Sequence, residues 1–270
     1  MPFFKRDGLD FNYYDLGAGQ PFFFQHGLGG EAKLVCDLFK PPAGIRMISF
    51  DARGHGETRP LGDPEKISIA SFADDLGALM DHLKIESAIV GGISMGAAMA
   101  LNFTLRFPQR VIGLVLSRPA WLDAPRPENV TLFGQIAQLI RQHGARRGRE
   151  LFLQTEAHKN LRRDFPDTAN TAMVAFNHPR AEETVVKLER IPNDTPCHDR
   201  AEWSAIRVPT LVLANLRDPI HPFEYGETLA RLIPGATFRE LTSKSISMEQ
   251  HTIDVQRELE TFLKTHFLGQ

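Results

Sequence analysis

Cysteine is scarce in this 270-residue chain: there are two, Cys36 and Cys197, far apart. Two isolated thiols build neither a disulfide framework nor a cysteine metal cluster, so no metal is expected and a reduced, cytoplasmic setting is. No apolar run approaches the roughly 20 residues of a membrane span. The apolar start at Met1-Pro-Phe-Phe gives way to Lys5-Arg6-Asp7 too early for a secretory signal. Charge of one sign is also lacking. Lys and Arg number 31 against 33 Asp and Glu, so neither nucleic acid nor an anionic membrane surface is an expected partner. No internal repeat or low-complexity stretch is present. The length suits one large α/β domain or one domain with an insertion. The expected partner is a small-molecule substrate, and the expected assembly a monomer or homodimer.

What the chain does have is Ala88-Ile-Val-Gly-Gly-Ile-Ser94-Met-Gly96. A short apolar run, read as a strand buried on both faces, leads into good helix formers from Met95 to Arg106. Between them lies Gly-x-Ser-x-Gly, the nucleophile-elbow pattern. A serine forced into a sharp strand-to-helix turn needs neighbours without a Cβ. Its Oγ then stands at a helix N-terminus, where developing negative charge is favoured. The bland reading is a glycine-rich turn with an incidental serine.

The rest of the chain bears on that choice. Residues 1–6 and 9–15 read as two strands joined by Asp7-Gly8, and residues 16–21 as a turn cluster. Phe22 to Gln25 reads as a buried strand running into His26-Gly-Leu-Gly-Gly30, whose backbone N–H groups could face an oxyanion. Ile45 to Phe50 is a strand followed by Asp51-Ala-Arg-Gly-His-Gly56, with His55 read as structural. Ser68 caps a helix expected over 71–84, and Val111 to Leu116 is a further apolar strand. Strands that are apolar without alternation, separated by helices, signal a parallel sheet covered on both faces.

Between Arg118 and Arg207 that rhythm breaks. Helical patterns appear at Val130–His143, Arg149–Lys159, Thr168–Phe176 and Ala181–Arg190, punctuated by prolines. The interspersed arginines and acids read as a solvated surface. The rhythm resumes with Thr210 to Ala214, the loop Asn215-Leu-Arg-Asp218-Pro-Ile-His221-Pro222, a helix over 223–233, a strand over 237–241, and a last helix from about Thr252 to His266.

A serine nucleophile needs a histidine base oriented by a carboxylate. Ser94, Asp218 and His251 each follow a strand, in the order serine, acid, histidine. His221 is the competing base and Asp123 the competing acid.

With these motifs the chain closely resembles the α/β-hydrolase fold superfamily, in its lid-bearing serine esterase and haloperoxidase-like branch. The resemblance rests on His26 to Gly30, Asp51 to Gly56, Gly92 to Gly96, the Asp218 loop and the His251 helix. It implies a mostly parallel central sheet of about eight strands with helices on both faces. The core would span 1–118 and 208–270, and an inserted helical lid 119–207. It further implies Ser94 as nucleophile, His251 as base, Asp218 as orienting acid, and the backbone N–H groups of Leu28 and Met95 as oxyanion hole, with no cofactor. The activity implied is cleavage of an ester, thioester, lactone or similar carbonyl substrate. Carbon–carbon bond hydrolysis, lyase chemistry or a non-enzymatic receptor are the alternatives. Serine at the elbow argues against dehalogenase and epoxide hydrolase activity.

Two residues hint at substrate chemistry. Arg118 is expected at the carboxyl end of its strand, restricted to an extended conformation by Pro119. There it would clamp a substrate carboxylate, or pair with a nearby carboxylate such as Asp123 and anchor the lid. Trp121 is expected to form an aromatic wall at the start of the lid.

Overall fold

The computed structural model describes residues 2–269. Its sheet is built from β1 (Phe3–Arg6), β2 (Leu9–Gly17), β3 (Gly19–Gln25), β4 (Gly44–Phe50), β5 (Ala88–Ile93), β6 (Val111–Ser117), β7 (Thr210–Ala214) and β8 (Thr237–Glu240), in the spatial order β1-β2-β4-β3-β5-β6-β7-β8. The two N-terminal strands pair antiparallel, and every pairing from β4 to β8 is parallel.

The apolar runs explain why the sheet is covered twice. Along β3, Phe23 packs into one core while Phe22 and Phe24 pack into the other. Along β6, Leu114 and Leu116 join the first core and Val115 the second. Successive side chains leave opposite faces of a strand, so an unbroken apolar run requires two apolar layers. Helices α2 (Ile69–His82) and α3 (Met95–Arg106) supply the first, and α1 (Ala32–Leu38) with α9 (Met248–Phe267) the second. Ser68 caps α2 as its sequence predicts, its side chain accepting from the Ser71 N–H.

The chain leaves β3 toward β4 on one side and returns as β5 on the other. That reversal opens a crevice at the carboxyl ends of β3 and β5, where open α/β sheets bind ligands.

Between β6 and β7 the described residues form no strand. They form α4 (Thr131–Gln154), α5 (Glu156–Asp164), α6 (Pro166–Asn177) and α7 (Val186–Arg190), followed after β7 by α8 (Phe223–Leu232). Within this insertion three boundaries differ from the sequence reading, and in the sheet the turn cluster expected over 16–21 is mostly the end of β2 and the start of β3. Helix α4 runs on through a break at Gly144, where φ is 73°. The helix expected at Arg149–Lys159 is divided, because the Thr155 side chain caps a new helix by accepting from the His158 N–H. The one expected at Ala181–Arg190 shrinks to α7, because Arg180 turns inward to donate to the carbonyls of Gly56 and Thr58. Lys187 likewise donates to Gly54 O at 2.8 Å, so the second half of the insertion is fastened to the loop after β4. Among the surface arginines, Arg141 pairs with Glu189 and Arg147 with Glu150.

Candidate active site

Ser94 sits between β5 and α3 with φ 56° and ψ −110°, a strained backbone for a residue with a Cβ. Its flanking glycines are sterically required. A Cβ on Gly92 would lie 2.5 Å from the Gly96 carbonyl carbon, and one on Gly96 2.4 Å from Gln25 O. The Ser94 N–H donates to Ser117 O on β6, which pins the turn to the neighbouring strand. Although Ser94 occupies the N-cap position of α3, its hydroxyl makes no capping hydrogen bond. The oxygen is therefore not engaged by its own helix.

The loop after β3 lies against this serine. A Cβ on Gly27 would be 3.3 Å from Ser94 Cβ and 3.9 Å from its Oγ. His26, buried beneath, holds the loop: its Nδ1 is 2.9 Å from Gly27 O and its Nε2 accepts from the Ala52 N–H. Nε2 is the acceptor, so the ring is neutral with its proton on Nδ1, and burial lowers its pKa accordingly. Leu28 follows in this loop, and Met95 opens α3, where the first N–H groups of a helix have no partner within it. His55 is fully buried, with Nδ1 against Arg53 O, as a structural histidine should be.

Asp218 lies in the loop after β7, almost fully buried. Two partners hold it. Arg118 donates to Oδ2 from Nε at 2.9 Å and from Nη2 at 2.5 Å. His221 Nδ1 lies 3.0 Å from both carboxylate oxygens. Burial alone would raise the pKa of Asp218, but these neighbours outweigh it and hold the carboxyl well below the usual range. Burial lowers the pKa of His221, with Arg118 acting in the same direction against the pull of Asp218.

His251 does not join Asp218. Its Nδ1 is 2.8 Å from Thr242 O, leaving Nε2 as its free nitrogen. The reason lies in the start of α9. Ser247 accepts from the Gln250 N–H, so the helix begins at Met248 rather than Thr252 and takes His251 into its first turn. Ser247-Met-Glu-Gln250 has the Ser-x-x-Gln spacing of a capping box, the signal that would have located this start. Burial, then the positive charges of Arg118 and Lys244, pull the pKa of His251 down to about 4. Lys244, in the loop between β8 and α9 and without a hydrogen-bonded carboxylate, is itself lowered to about 7 by burial and Arg118.

The candidates for substrate contact are placed differently from expectation. Arg118 is not extended: its φ is 48°, and its N–H donates to Leu213 O. That turn swings the guanidinium onto Asp218 rather than Asp123, which pairs instead with Arg200. Trp121 is 2% exposed and borders a void of only about 10 Å³ beside α3. A larger cavity of about 200 Å³ opens at the Gly27–Gly30 loop, and Trp121 is not among the residues lining it.

Known proteins share this architecture. The family model described as alpha/beta hydrolase fold matches residues 20–252. An AB hydrolase superfamily protein of Bacillus subtilis is 28% identical over 230 residues, covering 80% of this chain and 81% of its own. The putative carbamate hydrolase RutD of Pseudomonas syringae is 28% identical over 252 residues, covering 88% and 92%. Among solved structures, the enol-lactonase of Burkholderia xenovorans superposes with a TM-score of 0.73 at 22% identity, over 97% of this chain and 100% of that one.

Proposed function

The chain belongs to the alpha/beta hydrolase fold family, and on that premise we propose a serine hydrolase that cleaves an ester, thioester, lactone or similar carbonyl substrate through an acyl-enzyme on Ser94. The observation that carries the reading is the strained elbow with an uncapped hydroxyl, set against the Gly27 loop. In this mechanism Ser94 Oγ attacks the carbonyl carbon and its proton passes to a histidine. The carbonyl oxygen takes up negative charge against the N–H groups of Leu28 and Met95. The histidine returns the proton to the leaving oxygen, nitrogen or sulfur. Water then adds to the acyl carbon, giving a proton to the same histidine, which passes it to Ser94 Oγ as the acyl–oxygen bond breaks and the acid leaves. The segment 119–207 acts as a lid over this crevice. The carbamate-directed relative supports a substrate with an acyl carbon bound to a heteroatom.

Two histidines can serve as base, each with an observation in its favour. His221 has the carboxylate–imidazole pairing that orients a base, at 3.0 Å. His251 has its tautomer fixed by Thr242 O, which leaves Nε2 with a free lone pair. The paired carboxylate favours His221 with its proton on Nδ1 toward Asp218, a nitrogen that Arg118 Nη2 also approaches at 3.1 Å, and Asp218 is the orienting acid. Hydrolysis of p-nitrophenyl esters by the wild type and by Ser94→Ala tests the reading. Loss of turnover in a folded Ser94→Ala supports it, and retained turnover removes Ser94 as nucleophile.

A further inference from the structure

The cavity of about 200 Å³ at the Gly27–Gly30 loop is closed on its other sides by Leu34, Phe133, Val174, Ala175 and Leu188. Among the described residues no charged side chain lines it, and the hydroxyl of its lining residue Thr171 donates to Asp167 O. Its mouth carries apolar surface in contact with water: Leu34 of α1 is 56% exposed and Val174 of α6 is 47% exposed. One lip thus belongs to the core and the other to the inserted helices. The shared wall is the loop whose Gly27 lies against Ser94.

We propose that this cavity binds an apolar acyl chain, or a single ring, of about six to eight carbons, being somewhat larger than the roughly 150 Å³ that accommodates benzene. The proposal rests on the serine hydrolase reading for the placing of the carbonyl. Leu28, which lines the cavity, also supplies the N–H that faces the carbonyl oxygen in that reading. The leaving atom must face the histidine that protonates it, and both candidate histidines follow β7 or β8, so the acyl chain is the substituent directed toward the β3 loop and its cavity. Each methylene that enters leaves water for apolar surroundings, which strengthens binding by about fourfold. Beyond the mouth, added carbons return to solvent and the gain ends.

The test combines catalysis with binding. The wild type is assayed on p-nitrophenyl acetate, butyrate, hexanoate, octanoate, decanoate and laurate, and on acetates of the matching alcohols. Calorimetric binding of the same esters to Ser94→Ala needs no turnover. kcat/KM and affinity should rise to hexanoate or octanoate and then level or fall, in the acyl series alone. Ala175→Phe, which fills the cavity, should lower the octanoate-to-acetate ratio at least tenfold. Val174→Asp, at an exposed position that folding tolerates, should lower the same ratio. A flat response along the acyl series, a gradient in the alcohol series, or ratios unmoved by both variants would overturn the assignment. If the wild type neither turns over nor reacts with a fluorophosphonate, the hydrolase reading fails. Graded binding to Ser94→Ala would still support the pocket, and ungraded binding would overturn it.

Discussion

The carboxylate of Asp218 meets the imidazole of His221, three residues on in the same loop, with Nδ1 3.0 Å from each oxygen. The ring of His251 turns instead to Thr242 O at 2.8 Å. Substituting each histidine by glutamine separates their roles. His221→Gln is expected to lower kcat by two to four orders of magnitude, about the contribution of a general base. His251→Gln is expected to lower it less. The opposite ranking, measured on one ester, would return the base role to His251.

Asp218→Asn removes the acceptor that orients His221 and also uncovers Arg118 in a buried site. Two readouts should move together. kcat falls by up to about 10⁴, the loss known when a triad aspartate becomes asparagine. Stability falls by about 3–5 kcal/mol, the range for a buried pair that loses one partner. Asp123→Asn is the control, because its contact with Arg200 lies at the surface and is worth at most about 1 kcal/mol. Arg118→Lys should lower the melting temperature and slow neutral and carboxylate-bearing substrates alike. Selective loss on carboxylate-bearing substrates would show that Arg118 leaves Asp218 to hold the substrate.

The elbow was legible in the sequence because its cause is local. Gly92 and Gly96 are needed where backbone passes within 3 Å of their missing Cβ atoms, and a pattern of five residues records that. The sheet was legible because unbroken apolar runs demand two covering layers. The partner of Asp218 was not. Arg118 is 100 positions away, and its left-handed turn depends on a hydrogen bond to β7. Short α1 carries too few periodic positions to read as a helix, and the start of α9 was hidden in an unrecognised cap. His26 looked like part of a glycine-rich loop, but its two hydrogen bonds hold that loop in place.

Acid should affect activity and stability in separate ways. The base must be neutral to accept the Ser94 proton, and both candidate histidines have pKa values lowered by burial, His251 to about 4. A lowered pKa keeps the base neutral to lower pH. The acid limb of kcat/KM is therefore expected below the ordinary histidine value of about 6.5. Stability follows the opposite partition of protons. In the unfolded chain His251 and His178 titrate near 6.5, whereas in the folded protein they do so near 4. The unfolded state therefore binds more protons between these values, and the melting temperature should fall as pH drops from 6.5 toward 4. Activity lost at pH 6.5 with the fold intact would contradict the placement of the base.

The central claim is that Ser94 is a nucleophile raised to reactivity by its surroundings. Intact-protein mass spectrometry after brief exposure to a fluorophosphonate tests it most directly, with peptide mapping to locate the adduct. The account predicts one adduct per chain, on Ser94, absent from folded Ser94→Ala and formed much more slowly in Asp218→Asn. A wild-type protein that stays unlabelled while folded, or an adduct on any other residue, would contradict it.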